Sequence, residues 1–363
     1  MIDRVQLREI DWVLIGLLLV NSVIGIVLIY SSSHYQTGNF FVKQILWLVI
    51  SLGALFLVLS IDYKILVDLS PYAYILVMVL LAALLVFGRV ISGAKSWVRL
   101  AVIGGQPSEL AKVVIVLVLA RVFAEYRRTY VSLEFAALSG AAVLLPIAVV
   151  GLQPDLGTAI SFLPIFLASL ILAGLNKRTL ALLLILVIAA GFLGWNLFLK
   201  DYQKQRLTTL VNPGQDPRGA GYHVLQSKIA IGSGGLTGKG FRKGTQIQLR
   251  FLPARHTDFI FSVLGEEFGF LGVFIVLSAY FAFLARMFKS VGKSRDRAGM
   301  YVIFMVACLL TFQFLLNVTM IIGLFPITGV PIPLLSYGGS SLLTTFIAVG
   351  LVVNVKMRRF VNV

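Results

Sequence analysis

The sequence is poor in cysteine, histidine and acidic residues. Of its 363 residues, one is cysteine (Cys308), three are histidine and only 15 are Asp or Glu. A single cysteine excludes an intrachain disulfide, and three scattered histidines lack the spacing of a structural zinc site. Charged residues make up 13% of the chain, about half the share found in soluble domains. A water-soluble globular enzyme is therefore excluded, as are a disordered chain and a fibrous one.

Apolar residues are abundant instead. They make up 59% of the chain, and the mean hydropathy is +0.95. Because about 20 apolar residues cross a bilayer core, the apolar stretches predict about ten membrane-spanning helices. We therefore expect an all-α integral membrane protein in which residues 1–363 form a single polytopic domain. The predicted helices lie near residues 12–30, 42–60, 71–88, 108–124, 133–151, 157–174, 178–198, 259–285, 299–323 and 338–355.

The positive charge predicts the orientation. Lys and Arg outnumber Asp and Glu by 31 to 15, a surplus of +16. In a multispanning protein, cations gather at the cytoplasmic ends of the helices, so the surplus indicates a membrane rather than nucleic acid. Both termini are expected to be cytoplasmic, and the first helix is expected to be retained because no small-residue cleavage site follows it. The cation-rich alternate connections contain Lys64, Arg127, Arg128, Lys177, Arg178, Arg286, Lys289, Lys293, Arg295, Arg297, Lys356, Arg358 and Arg359.

One long outer loop, about residues 200–257, joins predicted helices seven and eight. It holds ten Lys or Arg residues against two Asp residues, a balance of +8. Its segment 222–231 has helical spacing, with Val224, Ile229 and Ile231 placed to lie on the membrane. Two interpretations stay open: a cationic surface resting on anionic lipid headgroups, and a binding platform for a phosphorylated substrate.

Ionisable residues in or beside membrane helices mark functional sites by default, because burying them is costly. Glu109 and Lys112 lie three residues apart at the outer end of predicted helix four, so they can pair. Asp155 lies in a short outer turn, and Asp258 begins predicted helix eight, also on the outer side. These four groups from three segments are expected at one depth. The alternatives are helix capping for the two aspartates and a purely structural ion pair for Glu109 with Lys112.

Two outer loops are rich in glycine and serine. The glycine-rich loop, residues 232–240, contains Lys239, and residues 331–341 precede the last helix. Glycine lets backbone amides approach an anion, but ordinary turns are the more common explanation of such loops. Lys239 is not followed by the Ser or Thr of a Walker motif. Glu266 and Glu267, about two turns inside helix eight, are expected to hold helices together.

An external site cannot use cytosolic nucleotide triphosphates, so its substrate must carry its own leaving group. A lipid-linked diphosphate sugar fits, since the lipid partitions beside the helices and the cationic loop attracts the diphosphate. A buried carboxylate near the membrane surface would act as general base on an acceptor hydroxyl. The departing diphosphate would be stabilised by Lys, Arg or a divalent cation such as Mg²⁺ or Mn²⁺, among which the sequence does not choose. No organic cofactor is expected.

Five ordered motifs, spread over most of the chain, resemble the SEDS family of bacterial cell-wall polymerases, which includes RodA and FtsW. The motifs are QPSELAK at 106–112, QPDLGT at 153–158, GSGGLTGKG at 232–240, HTDFIF continued by LGEE at 256–267, and SYGGSS at 336–341.

This resemblance implies a peptidoglycan glycosyltransferase that polymerises lipid II into β-1,4 glycan strands and releases undecaprenyl pyrophosphate. It would act on the outer face of the bacterial cytoplasmic (inner) membrane. Asp258 matches the family's essential acidic residue, and we assign it as the base that deprotonates the GlcNAc 4-hydroxyl of the acceptor. Glu109, Lys112 and Asp155 match positions that line the polar cavity, and Lys239 is the candidate contact for the diphosphate. The other positions expected to line the cavity are Trp97, Gln106, Thr257, Ser336 and Ser340.

Within the family, the run 327–333 (ITGVPIP) resembles the elongation-type RodA more than the division-type FtsW, which is the alternative. Ala254 and Arg255 stand where the family usually has Glu, and Arg250 stands where a neutral or acidic residue is usual. The lost carboxylate weakens the case for a second acidic group or metal ligand from this loop. The family implies a class B penicillin-binding protein as transpeptidase partner, other membrane proteins of the elongation complex, and no nucleic acid.

Two functions from other classes remain open. A transporter that flips lipid II would also use intramembrane charges and broken helices, but it should place polar groups at the midplane and the inner side. The acids here are biased outward, which favours the polymerase. A scaffold for other cell-wall enzymes would give no reason for Asp258.

Overall fold

The helices of the protein are joined by short connections and one small sheet. The computed structural model describes residues 9–33, 38–91, 94–100, 103–182, 185, 204, 208, 219–249, 251–252 and 254–359. The elements in chain order are α1 (Trp12–Ser33), α2 (Phe40–Ser60), α3 (Tyr63–Asp68), α4 (Ser70–Phe87), β1 (Arg89–Ile91), β2 (Ala94–Leu100), β3 (Ile103–Gly105), α5 (Pro107–Glu125), α6 (Leu133–Leu152), α7 (Leu156–Ile160), α8 (Leu163–Ala173), α9 (Ala220–Ser233), α10 (Thr245–Gln248), α11 (Ile260–Val291), α12 (Arg297–Ile321) and α13 (Gly339–Met357).

Eight helical segments of the described chain are long and apolar enough to cross a membrane, where the sequence predicted ten. They are α1, α2, α4, α6, α7 together with α8, α11, α12 and α13. The predicted fourth helix forms as α5. It is not among the eight segments because it contains three charged residues, Glu109, Lys112 and Arg121, within its apolar stretch. The predicted seventh helix, 178–198, lies mostly outside the described residues.

A small antiparallel sheet between α4 and α5 departs from the expected all-α architecture. Its strand order is β1-β2-β3, with Arg89 opposite Trp97 and Val98 opposite Gly105. Two of its strands are only three residues long. Such short strands carry too little of the period-two pattern to be recognised from sequence. The sheet leads directly into the first turn of α5.

The helix predicted within the long loop is present as α9. Of the three residues placed on the membrane from sequence, Ile229 is 43% exposed, whereas Val224 and Ile231 are partly buried. The buried face of α9 includes Ser227, whose hydroxyl lies 2.7 Å from that of Ser262 on α11. Packing against α11 therefore fixes the orientation of α9, which a single-helix pattern does not reveal.

One end of the bundle, called the Asp11 end here, is held together by ion pairs. Asp11 Oδ2 lies 2.9 Å from Arg286 Nε and also pairs with Lys356. Arg359 pairs with Glu9 at 3.0 Å. Since α1 begins here while α11 and α13 end here, the opposite end contains the starts of α11 and α13. The end of α12 and the start of α5 also lie at that opposite end.

Candidate active site

The first turn of α5 carries a buried ion pair. Gln106 is the N-cap, and Pro107 follows it, where its missing N–H costs no helical hydrogen bond. Lys112 Nζ lies 2.7 Å from Glu109 Oε1, and the two side chains are 2% and 7% exposed. The predicted pairing is therefore confirmed. Each charge makes the burial of the other tolerable.

Gln106 joins three elements at this end of the bundle. Its side-chain Nε2 donates to Asp155 Oδ2 at 2.9 Å, and its backbone N–H donates to Ser340 Oγ at 3.1 Å. Asp155 Oδ1 accepts from the Thr158 N–H at 3.1 Å and caps α7, so the capping alternative is confirmed for this residue. Burial raises the pKa of Asp155, although its hydrogen bonds with Thr158 act in the opposite direction.

Asp258 lies in the turn that leads into α11. The carbonyl of Ala254 accepts hydrogen bonds from the N–H groups of Thr257, Asp258 and Phe259 at 3.1 to 3.2 Å. The Thr257 hydroxyl donates to the same carbonyl at 3.3 Å. Phe259 is the N-cap of α11, so Asp258 stands one position before the cap residue. Its side chain is partly exposed.

Asn317 of α12 binds this turn to the loop between α12 and α13. Its side-chain Nδ2 donates to the main-chain oxygen of Asp258 at 3.0 Å and to that of Val330 at 2.7 Å. Asn317 is fully buried. Sequence reasoning missed this residue, although an asparagine within an apolar membrane helix is itself a signal of function.

The same loop connects Asp258 to the Asp155 cluster. A Cβ atom at Gly329 would lie 3.8 Å from Asp258 Oδ2. A Cβ atom at Gly157, in the first turn of α7, would overlap the carbonyl oxygen of the neighbouring Thr328. The four ionisable groups expected at one depth are therefore brought to one end of the bundle.

An aromatic group lies beside the Asp258 turn. The Tyr337 N–H donates to the His256 carbonyl at 2.9 Å. The Phe40 ring centroid is 4.4 Å from that of His256 and 5.1 Å from that of Tyr337. Burial lowers the pKa of His256 to about 4, and the charge of Arg255 contributes. His256 is therefore neutral at pH 7.

Ser336 and Trp97 occupy different surroundings. Ser336 Oγ accepts from the Ile332 N–H at 3.0 Å, so its hydroxyl stabilises the turn before α13. Trp97 lies in the central strand, β2. The strand β3 ends at Gly105, next to Gln106, so the sheet adjoins the polar cluster through the backbone.

The glycine-rich loop packs against a break in α11 and forms hydrogen bonds with its backbone. Gly269 interrupts the helix with φ +62° and ψ −162°, a conformation that residues with a Cβ rarely adopt. The Glu266 carbonyl, released by the break, accepts from the Lys239 N–H at 3.0 Å. The Glu267 carbonyl accepts from the Gly240 N–H, also at 3.0 Å.

The loop also accepts hydrogen bonds from backbone N–H groups at the start of the second half of α11. The Phe270 N–H donates to the Gly235 carbonyl at 2.9 Å. The Leu271 N–H donates to the Leu236 carbonyl at 3.0 Å. Unsatisfied backbone groups are costly at membrane depth, so this exchange of hydrogen bonds makes the break tolerable. A Cβ atom at Gly238 would overlap the backbone of α11, and close approach therefore explains this glycine.

Lys239 is held by a buried glutamate. Its Nζ lies 2.8 Å from Glu266 Oε1, with side chains 26% and 0% exposed. The same oxygen accepts from the Thr245 hydroxyl and the Gln246 N–H, both at 3.0 Å. Glu266 thus joins the glycine-rich loop, α10 and α11, which is the linking role expected of it. Lys239, the predicted diphosphate contact, has an intramolecular partner.

Glu109 makes an ion pair and Asp155 caps α7. Asp258 is a partly exposed residue in the turn before α11. Within the described part of the chain, no three His, Cys, Asp or Glu side chains are grouped so that they would hold a metal ion.

The chain matches the model of the FtsW/RodA/SpoVE family of cell cycle proteins over residues 11–360. It belongs to this family. Among FtsW/RodA/SpoVE relatives, it is 37% identical to peptidoglycan glycosyltransferase MrdB of Escherichia coli K12 over 357 residues, covering 98% of this chain and 95% of the relative. It is 34% identical to peptidoglycan glycosyltransferase RodA of Treponema pallidum, covering 97% and 98%.

Solved structures of the family agree. A chain from a study of polymerization and crosslinking by a peptidoglycan synthase complex superposes with a TM-score of 0.83 at 30% identity, covering 97% of this chain and 98% of that one. RodA of Thermus thermophilus gives 0.73 at 30% identity with the same coverage. The predicted resemblance is confirmed, and the protein is a multi-pass membrane protein of the FtsW/RodA/SpoVE family.

Proposed function

We propose that this protein is a peptidoglycan glycosyltransferase that polymerises lipid II for cell elongation. Relatives that carry this enzyme name match nearly the whole chain at 34 to 37% identity. The observation that carries the proposal is the position of Asp258, a partly exposed residue at the same end of the bundle as the polar cluster of Gln106, Glu109, Lys112 and Asp155.

Asp258 is the proposed general base. Its carboxylate takes the proton of the acceptor's GlcNAc 4-hydroxyl while that oxygen attacks the anomeric carbon of the donor. The bond from this carbon to the diphosphate breaks with inversion, which gives a β-1,4 linkage and undecaprenyl pyrophosphate. A base placed within hydrogen-bond reach of the attacking hydroxyl contributes about 10²–10⁴-fold to such a step.

The neighbouring residues position the substrate and balance charge. Lys239, whose side chain is 26% exposed beside Glu266, is proposed to contact the diphosphate. Asp155 and the Glu109–Lys112 pair are proposed to line the cavity. A divalent cation is the alternative source of positive charge, since Mg²⁺ is commonly held by one or two carboxylates together with the phosphates of a substrate.

The proposed orientation puts the site on the outer face of the bacterial cytoplasmic membrane. The Asp11 end contains Arg286, Lys356 and Arg359 in ion pairs, and the cation-rich connections lie near it. By the positive-inside rule, this end is cytoplasmic, and the opposite end, with Asp258, faces outward. With this orientation, the ten predicted spans would place the long loop on the outer side.

A class B penicillin-binding protein is the proposed partner, together with other membrane proteins of the elongation complex. A solved neighbour comes from a peptidoglycan synthase complex that coordinates polymerization and crosslinking, which supports a transpeptidase companion. Relatives named FtsW match at 32 to 34% identity, so a division role is the alternative. The higher identity to MrdB, 37%, favours elongation.

The decisive experiment is polymerisation of purified lipid II by the protein with its penicillin-binding partner, whose transpeptidase is blocked. The wild type is compared with Asp258→Asn and with the matched control Asp68→Asn, an exposed aspartate of α3. Long glycan chains from the wild type and the control alone support the proposal. Transbilayer movement of lipid II without chains would replace it with a transporter, and chains from folded Asp258→Asn would remove Asp258 as the base.

A further inference from the structure

A cavity at the Asp11 end, opposite the proposed active site, is lined mainly by cations. It has a volume of about 180 Å³ and lies between the first turn of α3, the α11–α12 loop and the end of α13. Its cationic lining residues are Lys64, Arg295, Arg358 and Arg359. These four residues have no role in the proposed glycan transfer.

The single carboxylate in the cavity wall is already oriented by other groups. Asp296 caps α12 by accepting from the Gly299 N–H at 3.1 Å. The hydroxyl of Tyr63, also in the wall, is hydrogen-bonded to Asp296. Asp296 forms no ion pair with the described residues, so the lining keeps four cations against one acid.

Two of the four cations have acidic partners among the described residues, and two do not. Arg358 lies 3.4 Å from Asp62 and Arg359 lies 3.0 Å from Glu9, both acids outside the lining. Lys64 and Arg295 form no ion pair in the part of the chain that the structure describes, and both are exposed. A recess lined by cations of this kind concentrates positive potential and attracts anions.

The location of the cavity indicates which kind of anion it would bind. The cavity lies where α2, α11 and α13 end, which is the level of lipid headgroups for helices that cross the bilayer core. Ile65 of α3 and Leu69, which follows α3, are 51% and 52% exposed. Its volume is far above what one water requires, and Arg presents a planar fork that matches phosphate oxygens.

We propose that this cavity binds a phosphate group through Lys64 and Arg295, with Arg358 held in place by Asp62. The headgroup of an anionic phospholipid and inorganic phosphate share this chemistry. Basic pockets between membrane helices on the cytoplasmic side are suited to anionic headgroups. An occupied site would connect the first turn of α3 to the α11–α12 loop.

The first test compares the full-length wild type with the double variant Lys64→Gln/Arg295→Gln. The matched control is Arg127→Gln/Arg128→Gln, which removes two exposed cations from the α5–α6 connection. Each protein is extracted from vesicles of phosphatidylglycerol and phosphatidylcholine, and the lipids retained are counted by native mass spectrometry. We expect at least fivefold enrichment of phosphatidylglycerol with the wild type and the control, and less than twofold with the cavity variant.

The second test titrates inorganic phosphate into the same three proteins by calorimetry. Phosphate binding lost only in the cavity variant, without lipid enrichment, supports the site and identifies free phosphate as its source. Lipid enrichment lost only in that variant identifies the headgroup. Retention of both signals by the cavity variant, or absence of both in the wild type, overturns the proposal.

Discussion

The side-chain amide of Asn317 donates a 3.0 Å hydrogen bond to the main-chain oxygen of Asp258. The same nitrogen reaches the Val330 oxygen at 2.7 Å. The proposed base is therefore placed by a residue of α12, and not only by the turn in which it lies. If Asp258 is the base, we expect its activity to depend on this cross-link between α12, the turn before α11 and the loop that contains Val330.

Asn317→Ala should slow polymerisation at least tenfold. The substitution leaves the buried Val330 carbonyl and the partly buried Asp258 carbonyl without this donor, and an unsatisfied buried group costs about 1–3 kcal/mol. The lipid II concentration for half-maximal rate should change less than the maximal rate. The control is Gln313→Ala, a buried amide four residues earlier, 3% exposed. Equal rates for the two variants would show that Asn317 does not position the base.

Glu109→Gln should destabilise the protein strongly, because it leaves Lys112 buried without its counter-charge. Breaking a buried pair on one side costs about 3–5 kcal/mol. The double variant Glu109→Gln/Lys112→Met should lose less than the single one. Thermal unfolding in detergent measures both. Glu9→Gln, which breaks the more exposed pair with Arg359, should cost about 0–1 kcal/mol. A double variant less stable than the single would refute the coupling.

Lys239→Met should raise the lipid II concentration needed for half-maximal rate, because it removes the proposed diphosphate contact. Glu266→Gln should lower the thermal unfolding temperature more than Lys239→Met does. The reason is that Glu266 accepts hydrogen bonds from three groups and is fully buried, whereas Lys239 is partly exposed. An unchanged concentration dependence for Lys239→Met would leave Lys239 as a structural partner only.

Stability should rise with pH between about 4 and 6.5 through His256. In this window the unfolded chain binds a proton at its ordinary pKa of 6.5, while the folded chain, with a pKa of about 4, does not. The His256→Phe variant should therefore show a smaller loss of stability on acidification than the wild type. Unfolding at pH 8 and pH 5 provides the comparison, with pH 8 as the reference where both are neutral at this position. A parallel loss in both proteins would contradict the assignment.

Sequence reasoning recovered the features that depend on local pattern. Runs of about 20 apolar residues predicted the spanning helices, and three-residue spacing predicted the Glu109–Lys112 pair. It missed features that depend on distant partners. Asn317 contacts a residue 59 positions away, and the break at Gly269 requires the glycine-rich loop to satisfy both halves of α11. Nothing within α11 alone distinguishes Gly269 from an ordinary helical glycine.

The broken helix has a consequence for synthesis and for tolerance of length changes. The glycine-rich loop precedes α11 in the chain, so its hydrogen-bonding groups have been made before the break at Gly269 leaves the ribosome. An insertion or deletion between Gly235 and Gly240 would displace its partners from both halves of α11 at once. Surface loops usually tolerate insertions and deletions. This loop should not, because its hydrogen bonds to both halves of α11 fix its length.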